Sequence, residues 1–165
     1  MKYTFYILII LAAIFTSSCG DSGGCDLRLD IPALAQPANT YNKDVAEIDQ
    51  FLDDNGLVAD TTLSGLRYTL DPPGSDLRPT LCDIATVSFV GYYLDGTEFD
   101  SSEEFTFDLD SNLLQGWKEG MLLVGEGGTI TIYLPSYIAY GISPPAGSGI
   151  PLNQVLVFEI TLDSF

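Results

Sequence analysis

The sequence predicts an α+β domain in which an antiparallel sheet of about five strands carries one short helix across a face. Three observations point there. Short runs of alternating apolar residues recur from Leu66 to the C-terminal end, as half-buried strands require. Turn-forming residues punctuate them, Asp71-Pro72-Pro73-Gly74 and Asp95-Gly96 above all. One late run changes period: Leu113, Leu114, Trp117 and Met121 recur at helical spacing.

Size and composition set the limits. A chain of 165 residues holds one ordinary domain plus extras, and 46% hydrophobic content supports a true core. The formal net charge of -17 repels phosphate backbones and anionic headgroups, which disfavours nucleic acid as a partner; its simplest consequence is solubility. The chain has no histidine, which removes imidazole bases and most zinc sites. Its three cysteines lack the paired short spacing of a metal site. No metal and no cofactor is expected, and the chemistry must come from carboxylates, hydroxyls, backbone amides and apolar shape.

The first residues read as an address. Lys2 supplies a positive start, Phe5 to Phe15 is an apolar run too short to span a bilayer comfortably, and Thr16-Ser17-Ser18 precede Cys19. The segment reads as a secretory signal. The small residues before Cys19 resemble the lipobox of bacterial lipoproteins, with Thr16 where Leu is usual. The resemblance implies that residues 1–18 are removed and Cys19 is lipidated, leaving the domain anchored to a membrane by lipid alone and facing the periplasm or the cell surface. The plainer alternative is an ordinary signal with an incidental cysteine. Residues 19–40, with Gly23-Gly24, Pro32 and Pro37, read as a flexible tether. Cys25 and Cys82 are open to a bridge or to two free thiols.

Residues 41–60 form a short helical segment. Val45, Ile48 and Leu52 share one face, Thr40 or Asn42 supplies the cap, and Asn55-Gly56 ends it. Its role is not legible: it caps the domain or meets a partner. Residues 61–165 are the main domain. Leu66, Tyr68 and Leu70 alternate first, then Ala85, Val87, Phe89, Gly91 and Tyr93 share one face of a strand over Ile84 to Tyr93. Asp95-Gly96 turns the chain back and delivers Phe99 beside Asp100. Phe105, Phe107 and Leu109 alternate next. Asp110 or Ser111 caps the helix that carries Trp117. Ile130, Ile132 and Leu134, then Leu156, Phe158, Ile160 and Leu162, complete the strands.

Two constellations compete for a function. Asp108, Asp110, Asn112 and Glu119 match ligand positions of a calcium loop, but Leu113 stands where the sharp turn needs glycine, and the second half is the apolar-faced helix. The other is aromatic: Phe89, Phe99, Phe105, Phe107, Trp117, Tyr140 and Phe158 all fall on inward positions. Ordinary core is the default for such residues. Asp100 at a strand end, where a carboxylate needs water or a partner, and Tyr140 at the head of a Pro/Gly/Ser-rich loop pull against that default. An aromatic bowl with a hydroxyl and a carboxylate suits an apolar ligand carrying a carbonyl.

Four stretches then carry a specific resemblance: VSFVGYYLDGTEFDSS at 87–102, LLQGWKEGMLLVGEGG at 113–128, LPSYIAYG at 134–141 and IPLNQVLVFEITL at 150–162. In that order and spacing the chain resembles the FKBP-type peptidyl-prolyl cis–trans isomerases. The resemblance runs from about Leu66 to Leu162 and includes nothing before residue 60. It implies a twisted antiparallel half-barrel wrapped on one short helix, with Trp117 as the floor of a proline pocket. Leu113 and Leu114 precede that floor; Phe89, Phe99, Phe105 and Phe158 are its walls. It further implies Asp100 as the carboxylate, Tyr140 as the hydroxyl donor and the Ile150 N–H as donor to a bound carbonyl.

Three departures are visible. Phe89 stands where better-known relatives have Tyr. The Ser102–Phe105 segment lacks the basic residue that often pairs with the carboxylate. The loop reads Ile150-Pro151-Leu152-Asn153 where a second proline is usual. The implied ligands are proline-containing polypeptides and macrolide inhibitors. The implied activity is rotation of X–Pro bonds in exported proteins, with Phe99, Asp100 and Tyr140 at the reacting amide. The rival expectation is a tethered peptide-binding chaperone with weak or no turnover.

Overall fold

The computed structural model describes residues 38–165. The signal-like segment, Cys19, Cys25 and the tether up to residue 37 lie outside the described residues. The order is helix α1 (Ala38–Asp54), strands β1 (Asp60–Thr61), β2 (Arg67–Leu70), β3 (Ile84–Tyr92) and β4 (Glu98–Asp108), helix α2 (Gln115–Met121), strand β5 (Thr129–Leu134), a 3-10 turn (Ser136–Ile138) and strand β6 (Leu156–Ser164). One antiparallel sheet runs β1-β2-β5-β6-β3-β4, which is the α+β architecture expected from the alternation pattern. The extra strand, β1, has two residues and no period of its own; it exists because Asp60 and Thr61 pair with Tyr68 and Arg67.

The main core lies between the sheet and α2. Ile130, Ile132 and Leu134 of β5 and Leu156, Phe158, Ile160 and Leu162 of β6 bury one face against Trp117 and Met121. Helix α2 approaches β5 closely because Gly116 and Gly120 face it. A Cβ at Gly116 would sit 2.2 Å from a methyl carbon of Leu134. Neither Asp110 nor Ser111 caps α2, which begins at Gln115 without a side-chain cap. Those residues stand four and three positions before the cap position, Leu114, in a turn where the Ser111 N–H donates to Asp108 O and the Leu113 N–H to Ser111 O. The hairpin between β3 and β4 is a three-residue loop: the Tyr93 N–H donates to Thr97 O, the Gly96 N–H to Tyr93 O, and Gly96 takes φ +84.

Helix α1 begins at Ala38, so Thr40 and Asn42 lie inside it rather than capping it, and residues 38–40 belong to the helix and not to the tether. It covers the other face of the sheet. Ile48, Phe51 and Leu52 pack on Tyr133, Val155 and Val157, whose neighbours Ile132, Leu134 and Phe158 point the opposite way into the main core. Tyr133 and Val157 are register partners, so α1 sits on the seam between β5 and β6. Arg67 fastens it at the β2 edge by a two-pronged pair with Asp49, Nε to Oδ1 at 2.8 Å and Nη2 to Oδ2 at 3.0 Å. Cys82 is disulfide-bonded, which decides against the free-thiol alternative for that residue.

Candidate active site

Two irregularities of β4 shape the site. Tyr92 pairs with Glu98 and Gly91 with Asp100, which leaves Phe99 as an extra residue opposite none. Neighbours in a regular strand face opposite ways, and a bulge re-aims them. Here it lets Phe99 pack into the core while Asp100 lines a cavity on the same side. The second lies between Ser102 (paired with Phe89) and Phe105 (paired with Val87), where Glu103 and Glu104 stand against Ser88 alone. It brings Phe105 to the cavity rim, 38% exposed.

The cavity measures about 300 Å³ and has Trp117, 4% exposed, among its lining. Rings stand edge-on around the indole: Phe89 at 5.0 Å, Phe158 at 5.1 Å, Phe107 at 5.8 Å and Phe105 at 6.2 Å between centroids. The indole N–H is buried without a hydrogen-bond partner. The fixed edge-to-face cage makes a stiff apolar floor. Leu113 and Leu114 form the lip just before α2, where the Leu114 carbonyl accepts the N–H groups of Trp117 and Lys118 and so begins the helix.

Asp100 and Tyr140 supply the polar rim. Tyr140 is half-buried; burial first, then the charge of Asp100, raises its phenol above the ordinary value of 10.0, so it stays an O–H donor at neutral pH. Asp100 is exposed and, among the described residues, takes part in no ion pair, consistent with the missing basic neighbour in its sequence.

Of the residues singled out from sequence, Asp100, Tyr140, Phe89, Phe105, Leu113, Leu114, Trp117 and Phe158 all line this one cavity. Phe99 does not. It stands behind the wall, 5.4 Å edge-on from Phe158 and 5.1 Å from Tyr93. A Cβ at Gly91 would come within 2.7 Å of its ring, so the glycine is what admits it. Ile150 is also off the lining, and its N–H donates to Ser148 Oγ at 3.2 Å. Sequence reasoning passed over Ser101 and Ser102, which line the cavity beside Asp100. The only signal was their adjacency to the Phe-Asp pair. A wider open groove of about 600 Å³ borders Glu98, Glu103 and Glu159 on β4 and β6, and its three carboxylates make it more polar than the cavity over Trp117.

Comparison with known proteins shows the family and the fold. The family model for FKBP-type peptidyl-prolyl cis-trans isomerase matches residues 76–163, more than half of the chain. The probable FKBP-type isomerase FkpA of Neisseria meningitidis serogroup B is 44% identical over 106 residues, covering 62% of this chain and 38% of that protein. The outer membrane protein MIP of Legionella longbeachae is 36% identical over 107 residues, covering 61% of this chain and 44% of its own length. The matches thus span less than half of these curated relatives. Among solved structures, FkpA from Escherichia coli superposes with a TM-score of 0.65 at 31% identity, over 80% of this chain and 62% of that one. A peptidyl-prolyl isomerase from Pseudomonas syringae gives a TM-score of 0.62 at 26% identity, over 78% of this chain and 96% of the other.

Proposed function

This chain belongs to the FKBP-type peptidyl-prolyl cis-trans isomerase family, and we propose that it rotates X–Pro peptide bonds in exported polypeptides, with its substrate proline seated over Trp117. The observation that carries the reading is the cavity itself. One aromatic floor and a carboxylate–phenol rim converge from α2, β3, β4, β6 and the 140-loop.

The chemistry asked of it is modest in kind. Rotation about a peptide bond faces a resonance barrier of about 18–20 kcal/mol and breaks no bond. A group that favours the twisted amide over the planar one is sufficient. On this reading the proline ring sits among Trp117, Phe89, Leu114 and Phe158, in surroundings that solvate the planar, polar amide poorly. The Tyr140 hydroxyl donates to a flanking carbonyl. Asp100 faces the rotating amide, where twisting reduces the dipole that its charge opposes. Each 1.36 kcal/mol of differential stabilisation multiplies the rate about tenfold. Phe99 backs the wall, and the Ile150 N–H donates to a substrate carbonyl only when Ser148 releases it.

Export and anchoring complete the proposal. The apolar segment ending at Thr16-Ser17-Ser18-Cys19 supports secretion with a lipid on Cys19, residues 19–37 standing the domain off the membrane. A relative named as an outer membrane protein agrees with such a setting. Residues 61–165 would form the isomerase unit, and the apolar bowl would also accept a macrolide inhibitor.

The test is isomerisation of an apolar-Xaa-Pro peptide by the full-length protein and by Asp100→Ala, with peptide binding followed by Trp117 fluorescence. Rate enhancement that drops in the variant is the expected result. Binding without turnover by the wild type would leave a peptide-binding module instead.

A further inference from the structure

The segment before the family-matched residues reaches the candidate active site through one buried carboxylate. Asp44 on α1 is 1% exposed and Ser136, at the head of the 3-10 turn, is fully buried. Asp44 Oδ2 accepts the Ser136 N–H at 2.9 Å and the Ser136 hydroxyl as well. The residues are 92 apart in sequence. Ser136 in turn sets the residue after Tyr140: its carbonyl accepts the Gly141 N–H at 2.8 Å and the Ala139 N–H at 3.1 Å. Gly141 holds φ +53, and its own carbonyl accepts the Asn153 N–H at 2.7 Å. One carboxylate therefore grips the residue that pins both sides of the Tyr140 backbone.

A second arm prevents the turn from swivelling. The Tyr137 hydroxyl donates to Ser64 O at 2.6 Å, its ring lies 5.3 Å from that of Tyr41 on α1, and the Ser64 hydroxyl donates to Glu119 on α2 at 2.6 Å. Burying a carboxylate is costly unless it gains hydrogen bonds. The second oxygen, Asp44 Oδ1, is buried with no partner, so the residue is not the best choice for stability alone. A specific demand at Ser136 explains its presence better than packing does.

We propose that Asp44 is a positioning residue: through Ser136 it holds the Tyr140 hydroxyl at the cavity rim, which makes α1 a working part of the isomerase. This rests on the isomerase reading above for its rate consequences. Tyr41, Asp44 and Ser64 all lie outside residues 76–163, so the device is built from residues beyond the matched family segment.

The experiment is a double-mutant cycle in the full-length protein, combining Asp44→Ala with Tyr140→Phe, and scoring kcat/KM on an apolar-Xaa-Pro peptide beside the thermal midpoint. Asp44→Ala is expected to lower kcat/KM on the order of tenfold in the wild-type background, and by less than about twofold once the Tyr140 hydroxyl is gone. The thermal midpoint should fall by the same amount in both backgrounds. Asp44→Asn, which keeps one acceptor oxygen for Ser136, should restore most of the rate. Equal rate losses in both backgrounds would overturn the proposal and leave Asp44 a structural residue.

Should Asp44→Ala fail to fold, Ser136→Ala removes the hydroxyl bond alone and runs through the same cycle with the same two outcomes. A wild type that binds peptide without turning it over would remove the isomerase reading only. The peptide Kd from Trp117 fluorescence would then replace the rate, with the same non-additivity expected. A wild type with no peptide affinity overturns both.

Discussion

The hydroxyl of Ser148 accepts the N–H of Ile150 at 3.2 Å, so the loop binds the very donor that the family resemblance assigns to a substrate carbonyl. A serine two residues back is a local competitor for a backbone N–H, and it must yield before the carbonyl can bind. Ser148→Ala exposes the donor to water and substrate alike. Peptide affinity should rise about two- to fivefold, within the net value of one neutral hydrogen bond, with kcat nearly constant. Trp117 fluorescence titration and steady-state kinetics read the two quantities separately; unchanged affinity would show that Ile150 N–H plays no part in binding.

Gly91 is the position at which the wall behind the cavity can be broken by one methyl group. A Cβ there would lie 2.7 Å from Phe99 and 3.0 Å from Phe158, both rigid rings. Gly91→Ala should cost about 1–3 kcal/mol, as overpacking does, and should lower kcat/KM by displacing Phe158. Denaturant unfolding and peptide kinetics on one preparation would check both.

Trp117→Phe separates floor from framework. It deletes ring area from the cavity but also removes an indole N–H buried without a partner, whose desolvation costs about 1–3 kcal/mol. The two effects oppose each other, so stability should stay within about 1 kcal/mol of wild type. Peptide affinity should nonetheless fall several-fold if, as proposed, the proline rests on Trp117 and loses its widest contact. Calorimetric unfolding and peptide titration would distinguish this from general damage.

Alkaline pH should act through the phenols. Burial raises the Tyr133, Tyr137 and Tyr140 hydroxyls above their ordinary value of 10.0. The folded state then holds protons that the unfolded chain releases, so the phenols' contribution to stability is constant below about pH 10 and declines as pH rises above it. Activity should follow its own limb when Tyr140 ionises beside Asp100, and Tyr140→Phe should remove that limb while lowering the neutral rate. Stability and rate measured from pH 7 to 11 would test both; a rate limb retained in Tyr140→Phe would assign it elsewhere.

The lining of the candidate cavity was legible where chemistry and period coincide. Trp117 and Leu114 stood out on the helical run, Phe89 and Phe158 on alternating strands, and Asp100 as a carboxylate beside a ring. Other parts were hidden for physical reasons. A bulge is an arithmetic mismatch between two strands, so nothing in β4 alone says that Phe99 and Asp100 serve one side of the sheet. The Ile150 N–H looks available in any linear reading, since its occupant depends on loop conformation. Neither Asp110 nor Ser111 caps α2, because an intervening turn puts the helix start at Gln115, beyond reach of either side chain's cap position.

By itself the sequence determined the sheet-and-helix class, the inward residues of the regularly alternating strands β5 and β6 and the aromatic character of the bowl. Those follow from period and side-chain chemistry, which are local. Tertiary structure alone decided that α1 lies on the back of the β5–β6 seam, and that Asp44 meets Ser136 across 92 residues. Contacts of that kind depend on how two surfaces dock, and a carboxylate on a helix face carries no mark of the backbone N–H it will find.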